Sequence, residues 1–324
     1  MPARRRHVAA AIPVAVVLVL GSCASSSGTR HAGVAATPTR ARTPAVSATT
    51  TAPPTNLVVT RSTERFVDRS RGTVDPDHAR SAPTRTLTTD IYIPAGEGPF
   101  PLILHAHGAG GDARKFTVLA GAWARHGYVV AVPTFPLTSD TTGGSVVVGD
   151  YVNQPRDLQF ILDQVLHLAA TPNTALTGKI DTHHIGVSGL SLGGATAYGM
   201  GFSACCRDRR IAAVIIMSGI KLPFGNGAFV FDKPVLIFHG TEDPTIPYST
   251  ASTAYASAAS PKYFVTLVGA GHAPQYEDTP DPHDSVVTAV TLDFWDAYLR
   301  TRHGSATRLL RDADQPPLSS IRAG

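Results

Sequence analysis

Gly189-Leu190-Ser191-Leu192-Gly193, set between the apolar run Ile185-Gly186-Val187 and the small-residue stretch Gly194-Ala195-Thr196, is the segment whose reading decides the fold. A β-rich run that passes at once into a helix opening gives the G-x-S-x-G pattern its structural context. The two glycines permit a sharp strand-to-helix turn, and the serine Oγ is carried outward at its apex. Taken alone, the same residues also describe a tight turn with a serine N-cap. Residues elsewhere in the chain decide between the two.

Two further apolar runs end in loops that bear titratable side chains. Residues 235–239 lead into Gly240-Thr241-Glu242-Asp243, and residues 263–268 into Gly269-Ala270-Gly271-His272. If each run is a strand of one parallel sheet, Asp243 and His272 lie past carboxyl ends on the edge that also carries Ser191. A single Asp after a strand is ordinarily a turn former, and a single His in a glycine-rich loop is ordinarily inert. Their joint occurrence in the order Ser, Asp, His assigns the chemistry. Neutral His272 takes the Ser191 proton as a carbonyl is attacked and returns it to the leaving group, while Asp243 fixes the imidazole tautomer and stabilises the imidazolium. Glu242 is the neighbouring rival acid, expected to point away from Asp243. The developing oxyanion needs two N–H donors. Leu192, the first residue of the helix, supplies one, and Ala109 in the loop His107-Gly108-Ala109-Gly110-Gly111 is expected to supply the other. His107 is read as a structural support.

From Thr86 onward, short β-rich runs alternate with longer helical stretches. This predicts an α/β fold with a mostly parallel central sheet and helices on both faces. Strands are expected at 87–93, 102–107, 128–132, 185–187, 211–217, 235–239 and 263–268. Helices are expected at about 114–126, 153–169, 192–204, 249–258 and 283–301. The connection between residues 217 and 235 is about seventeen residues and rich in Gly and Pro, so no large cap domain fits there. A longer connection, 135–153, is a candidate wall of the substrate site.

Together His107-Gly108-Ala109-Gly110-Gly111, Gly189 to Gly194, His239-Gly240-Thr241-Glu242-Asp243 and Gly271-His272 resemble the α/β-hydrolase superfamily. More narrowly, they resemble its uncapped bacterial branch near dienelactone-hydrolase-like, platelet-activating-factor-acetylhydrolase-like and polyester-hydrolase (cutinase-type) enzymes. The resemblance spans roughly residues 57–301 and implies the α/β-hydrolase fold. Dienelactone hydrolases carry a cysteine nucleophile, so Ser191 argues against that activity. Polyester hydrolases typically have an aromatic residue at the position matched by Ala109 and an aromatic or His at that matched by Leu190, and their lack suggests an esterase with a plain apolar rim. The leading expectation is a carboxylic ester hydrolase acting on a small-molecule or lipid-like ester. The alternatives are a peptidase of prolyl-oligopeptidase type, which generally adds a propeller, and a non-catalytic ligand-binding lipoprotein on the same fold.

The N-terminal segment reads separately. Arg4, Arg5 and Arg6 precede an apolar run over 8–20 that is too short to span a bilayer, so residues 1–22 are expected to be a signal peptide. It ends in Leu20-Gly21-Ser22-Cys23, which resembles a bacterial lipobox. The expectation is lipidation at Cys23 and anchoring to the outer face of the cell membrane, with secretion as the alternative. Residues 23–56 are rich in Ser, Thr, Ala and Pro and are expected to form a disordered tether. The catalytic domain is expected over 57–303, followed by a polar C-terminal tail over 304–324 that has little but Leu309 and Leu310 to anchor it. The formal charge of +4 falls to +1 without the three N-terminal arginines, which gives no basis for a nucleic-acid partner. No cofactor motif is visible. His183 and His184 face opposite ways in an extended run, so no metal is expected. The chain is taken as a monomer. Besides Cys23 there remain adjacent Cys205 and Cys206, which form either a strained vicinal disulfide or a pair of buried thiols. For the anchor, the full chain is expected to partition into a detergent phase and Cys23→Ala to release it, and a soluble wild type with an intact Cys23 thiol would refute the lipobox reading.

Overall fold

The computed structural model describes residues 56–225 and 227–324. The expected signal peptide, Cys23 and all but the last residue of the tether lie outside them. Among the described residues, no helix is long and apolar enough to cross a membrane.

Nine strands form one sheet among these residues. They are β1 (Val59–Asp68), β2 (Arg85–Pro94), β3 (Phe100–Ala106), β4 (Val129–Thr134), β5 (Ile180–Leu190), β6 (Ile211–Met217), β7 (Val235–Gly240), β8 (Lys262–Leu267) and β9 (Ser319–Ala323). Their spatial order is β1-β2-β4-β3-β5-β6-β7-β8-β9. The six strands from β4 to β8 run parallel, and the antiparallel pairs β1·β2, β2·β4 and β8·β9 finish the two sides. Parallel neighbours require long crossovers, and helices supply most of them: α1 (Thr117–Arg125), α2 (Gln154–Ala170), α3 (Leu192–Phe202) and α4 (Tyr248–Ser257), with α5 (Asp284–Tyr298) and α6 (Ser305–Ala313) following β8.

The strand alternation sorts the core into two layers. Leu102, Leu104, Val187, Ile216 and Ile237 face one side, where α2, α3 and α4 cover them with Leu158, Ile161, Tyr198 and Ala251. Ile103, Ile215, Leu236 and Phe238 face the other, under Trp123 of α1, Trp295 of α5 and Leu309 of α6. Because both faces are covered, β3, β6 and β7 read as continuous apolar runs. This is the α/β-hydrolase arrangement, with no insertion of domain size among the described residues.

A buried charge cluster fixes the long connection after β4. Arg85 on β2, 1% exposed, reaches Asp150 at 2.5 Å and Asp157 at 2.7 Å, and Arg71 meets Asp157 at 2.8 Å and Asp68 at 2.7 Å. A planar guanidinium can bridge two carboxylates in this way. The cluster ties β2 to the start of α2 and holds the end of segment 135–153 in place.

The C-terminal expectation is corrected. Residues 304–324 are not a loose tail, and the folded unit does not stop at 303. Leu309 is fully buried under the sheet, whereas Leu310 is exposed. Ser319 to Ala323 pairs antiparallel with β8, and Lys262 and Gly324 exchange backbone hydrogen bonds of 2.9 and 3.0 Å. Arg322 stacks over Phe264 at 4.6 Å. The strand Ser-Ser-Ile-Arg-Ala has no apolar signature because main-chain bonding to the open edge of β8 holds it, with little contribution from side-chain burial. β1 escaped the sequence pattern for a related reason: it is a charged, half-solvated edge strand. A chain ending at His303 is expected to aggregate or to melt more than about 5 °C below the full chain, and an unchanged melting temperature would show that α6 and β9 contribute no stability.

Candidate active site

Ser191 stands at the junction of β5 and α3 with φ 56° and ψ −114°, a left-handed backbone that non-glycine residues rarely adopt. Two glycines make the junction sterically feasible. A Cβ on Gly189 would lie 2.1 Å from Gly193 O, and one on Gly193 would lie 2.1 Å from Ala106 O. The Ser191 N–H donates to Met217 O at 2.9 Å, which ties the turn to the neighbouring strand β6.

The acid and the base arrive on adjacent strands. Asp243 follows β7 and His272 follows β8, and their loops are joined through the backbone. Thr241 N–H donates to Leu267 O and Glu242 N–H to Ala270 O, both at 3.0 Å, and Gly269 N–H donates to Thr241 Oγ1 at 2.8 Å. The Asp243 side chain is fully buried and lies 2.7 Å from His272 Nδ1, and His272 Nε2 lies 2.8 Å from Ser191 Oγ. Asp243 accepts only, so Nδ1 carries the proton and Nε2 presents its lone pair to the serine hydroxyl. The rival Glu242 is exposed and takes no part.

Burial alone would raise the Asp243 carboxyl. Hydrogen bonds from His239 and His272 and from the backbone N–H groups of Ile246 and Thr245 outweigh it, and they hold the group well below the usual carboxylate range. His239 is the residue that sequence reasoning passed over. It was visible at the head of His239-Gly240-Thr241-Glu242-Asp243, but nothing in the pattern indicates that an imidazole at the end of β7 would turn back onto the acid.

The loop after β3 packs on the nucleophile. A Cβ on Gly108 would lie 3.1 Å from Ser191 Cβ. Among the described residues neither Ala109 N–H nor Leu192 N–H has an acceptor, so both donors are free for a ligand. His107 supports the loop from beneath: its Nδ1–H donates to Gly108 O at 2.7 Å, and Nε2 accepts from Phe135 N–H at 2.9 Å. Burial pushes its imidazole down to about 4, so it stays neutral in this role. Gly110 N–H donates to Thr138 O at 2.7 Å. Gln154 then bridges, donating to Thr138 Oγ1 at 2.7 Å and accepting from the Thr196 hydroxyl of α3. Segment 135–153 is therefore braced to both the loop and the elbow helix, and it leaves Val148 and Val152 exposed.

Cys205 and Cys206 are joined to each other just beyond the carboxyl end of α3. Cys205 is exposed and Cys206 half-buried, which corrects the alternative of two buried thiols. An eleven-residue helix separates them from Ser191 by about 15 Å, so they are not part of the site.

The fold is of the α/β-hydrolase type, and this arrangement of side chains is compatible with a hydrolase built on it. No family model matches the chain. Over 139 residues it is 31% identical to the quorum-quenching protein AidA of Acinetobacter baumannii. The match takes in 42% of this chain and spans only 40% of the length of that relative.

The Asp243 carboxyl titrates lower in the fold than its unfolded value of about 4. Its ionised form therefore stabilises the protein fully above that value, and the contribution is lost as pH falls through the folded value. Denaturant titrations should find wild type more stable than Asp243→Asn at pH 7, with the gap closing as the pH drops from about 4 towards 2. A gap that does not change with pH would contradict the hydrogen-bonding arrangement described.

Proposed function

We propose that the chain is a serine-dependent carboxylic ester hydrolase that works through an acyl-enzyme on Ser191. The observation that carries this reading is the unbroken line from Asp243 Oδ2 through His272 to Ser191 Oγ, with contacts of 2.7 and 2.8 Å. Ser191 Oγ attacks the ester carbonyl as its proton passes to His272 Nε2, and the carbonyl oxygen takes up the charge between the N–H groups of Ala109 and Leu192. Collapse breaks the bond to the alcohol oxygen, which receives the proton from His272. Water then attacks the acyl group by the same route in reverse and frees Ser191.

An open site suits small, soluble esters with short to medium acyl chains, without interfacial activation. Two observations support this. The β6–β7 connection is too short for a lid, and the flank of the site is polar. A cleft of about 620 Å³ lies between Lys115, after the oxyanion loop, and Glu277, after His272. Burial holds the Glu277 carboxyl above its usual range, and the Lys115 ammonium stands 3.7 Å away. The similarity to the quorum-quenching protein AidA favours a second reading of the same chemistry, in which the ester belongs to a bacterial signal molecule. Lipid attachment through Cys23 would hold the enzyme at the outer membrane face, where such molecules pass.

A fluorophosphonate should label wild type stoichiometrically and fail on Ser191→Ala. Turnover of p-nitrophenyl esters should fall by about 10⁴ to 10⁶ in that variant, and by less in Asp243→Asn. A panel running from acetate to palmitate, with a lactone and a peptide alongside, tests the substrate class. Wild-type ester hydrolysis by Ser191→Ala would sink the nucleophile assignment, and no turnover of any substrate by wild type would return the fold to a binding role.

A further inference from the structure

His239 is the last side chain of β7 before Gly240, fully buried, and the hydrolytic steps above do not use it. Its Nε2 lies 2.9 Å from Ile246 O and 3.2 Å from Asp243 Oδ2. Both of those atoms are acceptors, a carbonyl and an ionised carboxylate, so Nε2 must carry the hydrogen. Nδ1 has no partner among the described residues. The ring is held edge-on to Tyr248, with centroids 6.0 Å apart at 84°, and the Tyr248 hydroxyl is bonded to Thr266 Oγ1 at 2.5 Å.

We propose that His239 is a positioning residue for the reaction: its Nε2–H is donated to Ile246 O, and this bond sets the polar edge of the ring 3.2 Å from Asp243 Oδ2, where it holds the carboxylate so that Oδ2 meets His272. The inference rests on the triad reading of Ser191, His272 and Asp243. Asp243 Oδ1 accepts N–H bonds from Thr245 at 2.8 Å and Ile246 at 2.9 Å. Ile246 therefore donates to one oxygen of the carboxylate and accepts from the imidazole that holds the other. This small ring, Asp243 to Ile246 to His239 and back, pins the plane of the acid at points independent of His272. The base meets an acceptor already oriented, and less of the geometry must be found during turnover. Without the His239 donor, Oδ2 is left with His272 as its one donor among the described residues, and the carboxylate can pivot about Oδ1.

Two variants separate this role from simple packing. His239→Phe keeps an aromatic ring against Tyr248 and removes the donor, and His239→Gln offers an amide N–H near the place of Nε2. With p-nitrophenyl acetate as probe, kcat should fall roughly 10- to 100-fold in the Phe variant while KM stays within about twofold, and the Gln variant should recover most of the loss. The downfield proton resonance between His272 Nδ1 and Asp243 should move in the Phe variant and return in the Gln variant. Fluorophosphonate should still label Ser191 in both, more slowly in the Phe variant, so a failure here is distinguishable from a failure of the nucleophile assignment. A folded, labelled Phe variant with wild-type kcat would overturn the proposal. So would a folded Gln variant as slow as the Phe variant, since ring shape and not the N–H would then be the cause. If the Phe variant does not fold, the ¹⁵N-histidine spectrum of wild type decides: His239 protonated at Nε2 supports the role, and His239 protonated at Nδ1 refutes it.

Discussion

Backbone runs against backbone where α3 begins, and the geometry of the site follows from that contact. With a Cβ on Gly193 only 2.1 Å from Ala106 O, no side chain can separate the first turn of α3 from the end of β3. The contact brings the first turn of α3 against the end of β3, and Gly108 of the next loop packs on Ser191. Ser191, Leu192 and the 108–111 loop are thus neighbours because one glycine lets two main chains touch. The cost is a non-glycine residue at φ 56°, on the order of 1 to 3 kcal/mol. Its place at the carboxyl end of β5, bonded on both sides by β3 and β6, offsets that strain.

Two of the buried anionic centres are solved in different ways. Asp150 and Asp157 are met by a formal charge, the Arg85 guanidinium, and the result is a rigid brace between β2 and α2. Among the described residues Asp243 has no lysine or arginine paired with it; two imidazoles and two backbone N–H groups face its carboxylate. A permanent cation there would draw the carboxylate away from His272. Neutral donors stabilise the anion and leave its attraction for a developing imidazolium intact.

The parallel centre of the fold was legible in the sequence because strands buried on both faces must be apolar throughout, and β6 spans 211–217 as its run suggests. Ser191, Asp243 and His272 could be found because each sits just beyond such a run. Elements with little apolar signature were not legible: β1 and β9 are polar edge strands, and α6 buries only Ser305, Leu309 and Ala313. His239 was hidden for another reason. It lies inside an apolar strand end, and the closing of the 243–246 turn, which brings Ile246 O and Asp243 back over the imidazole, is a tertiary event that leaves no periodic trace.

β9 also orders the assembly of the site in time. Ser191 and His272 are 81 residues apart in the chain, and β8, which carries His272, has one open edge until residues 319–323 lie against it. During synthesis the serine elbow, the acid and the base all leave the ribosome before the strand that closes this edge. Throughout that interval a row of unpaired N–H and C=O groups sits beside the strand that positions the base. Residues 319–323 thus cover the edge beside the strand that leads to His272, and the open edge passes to the short, polar β9.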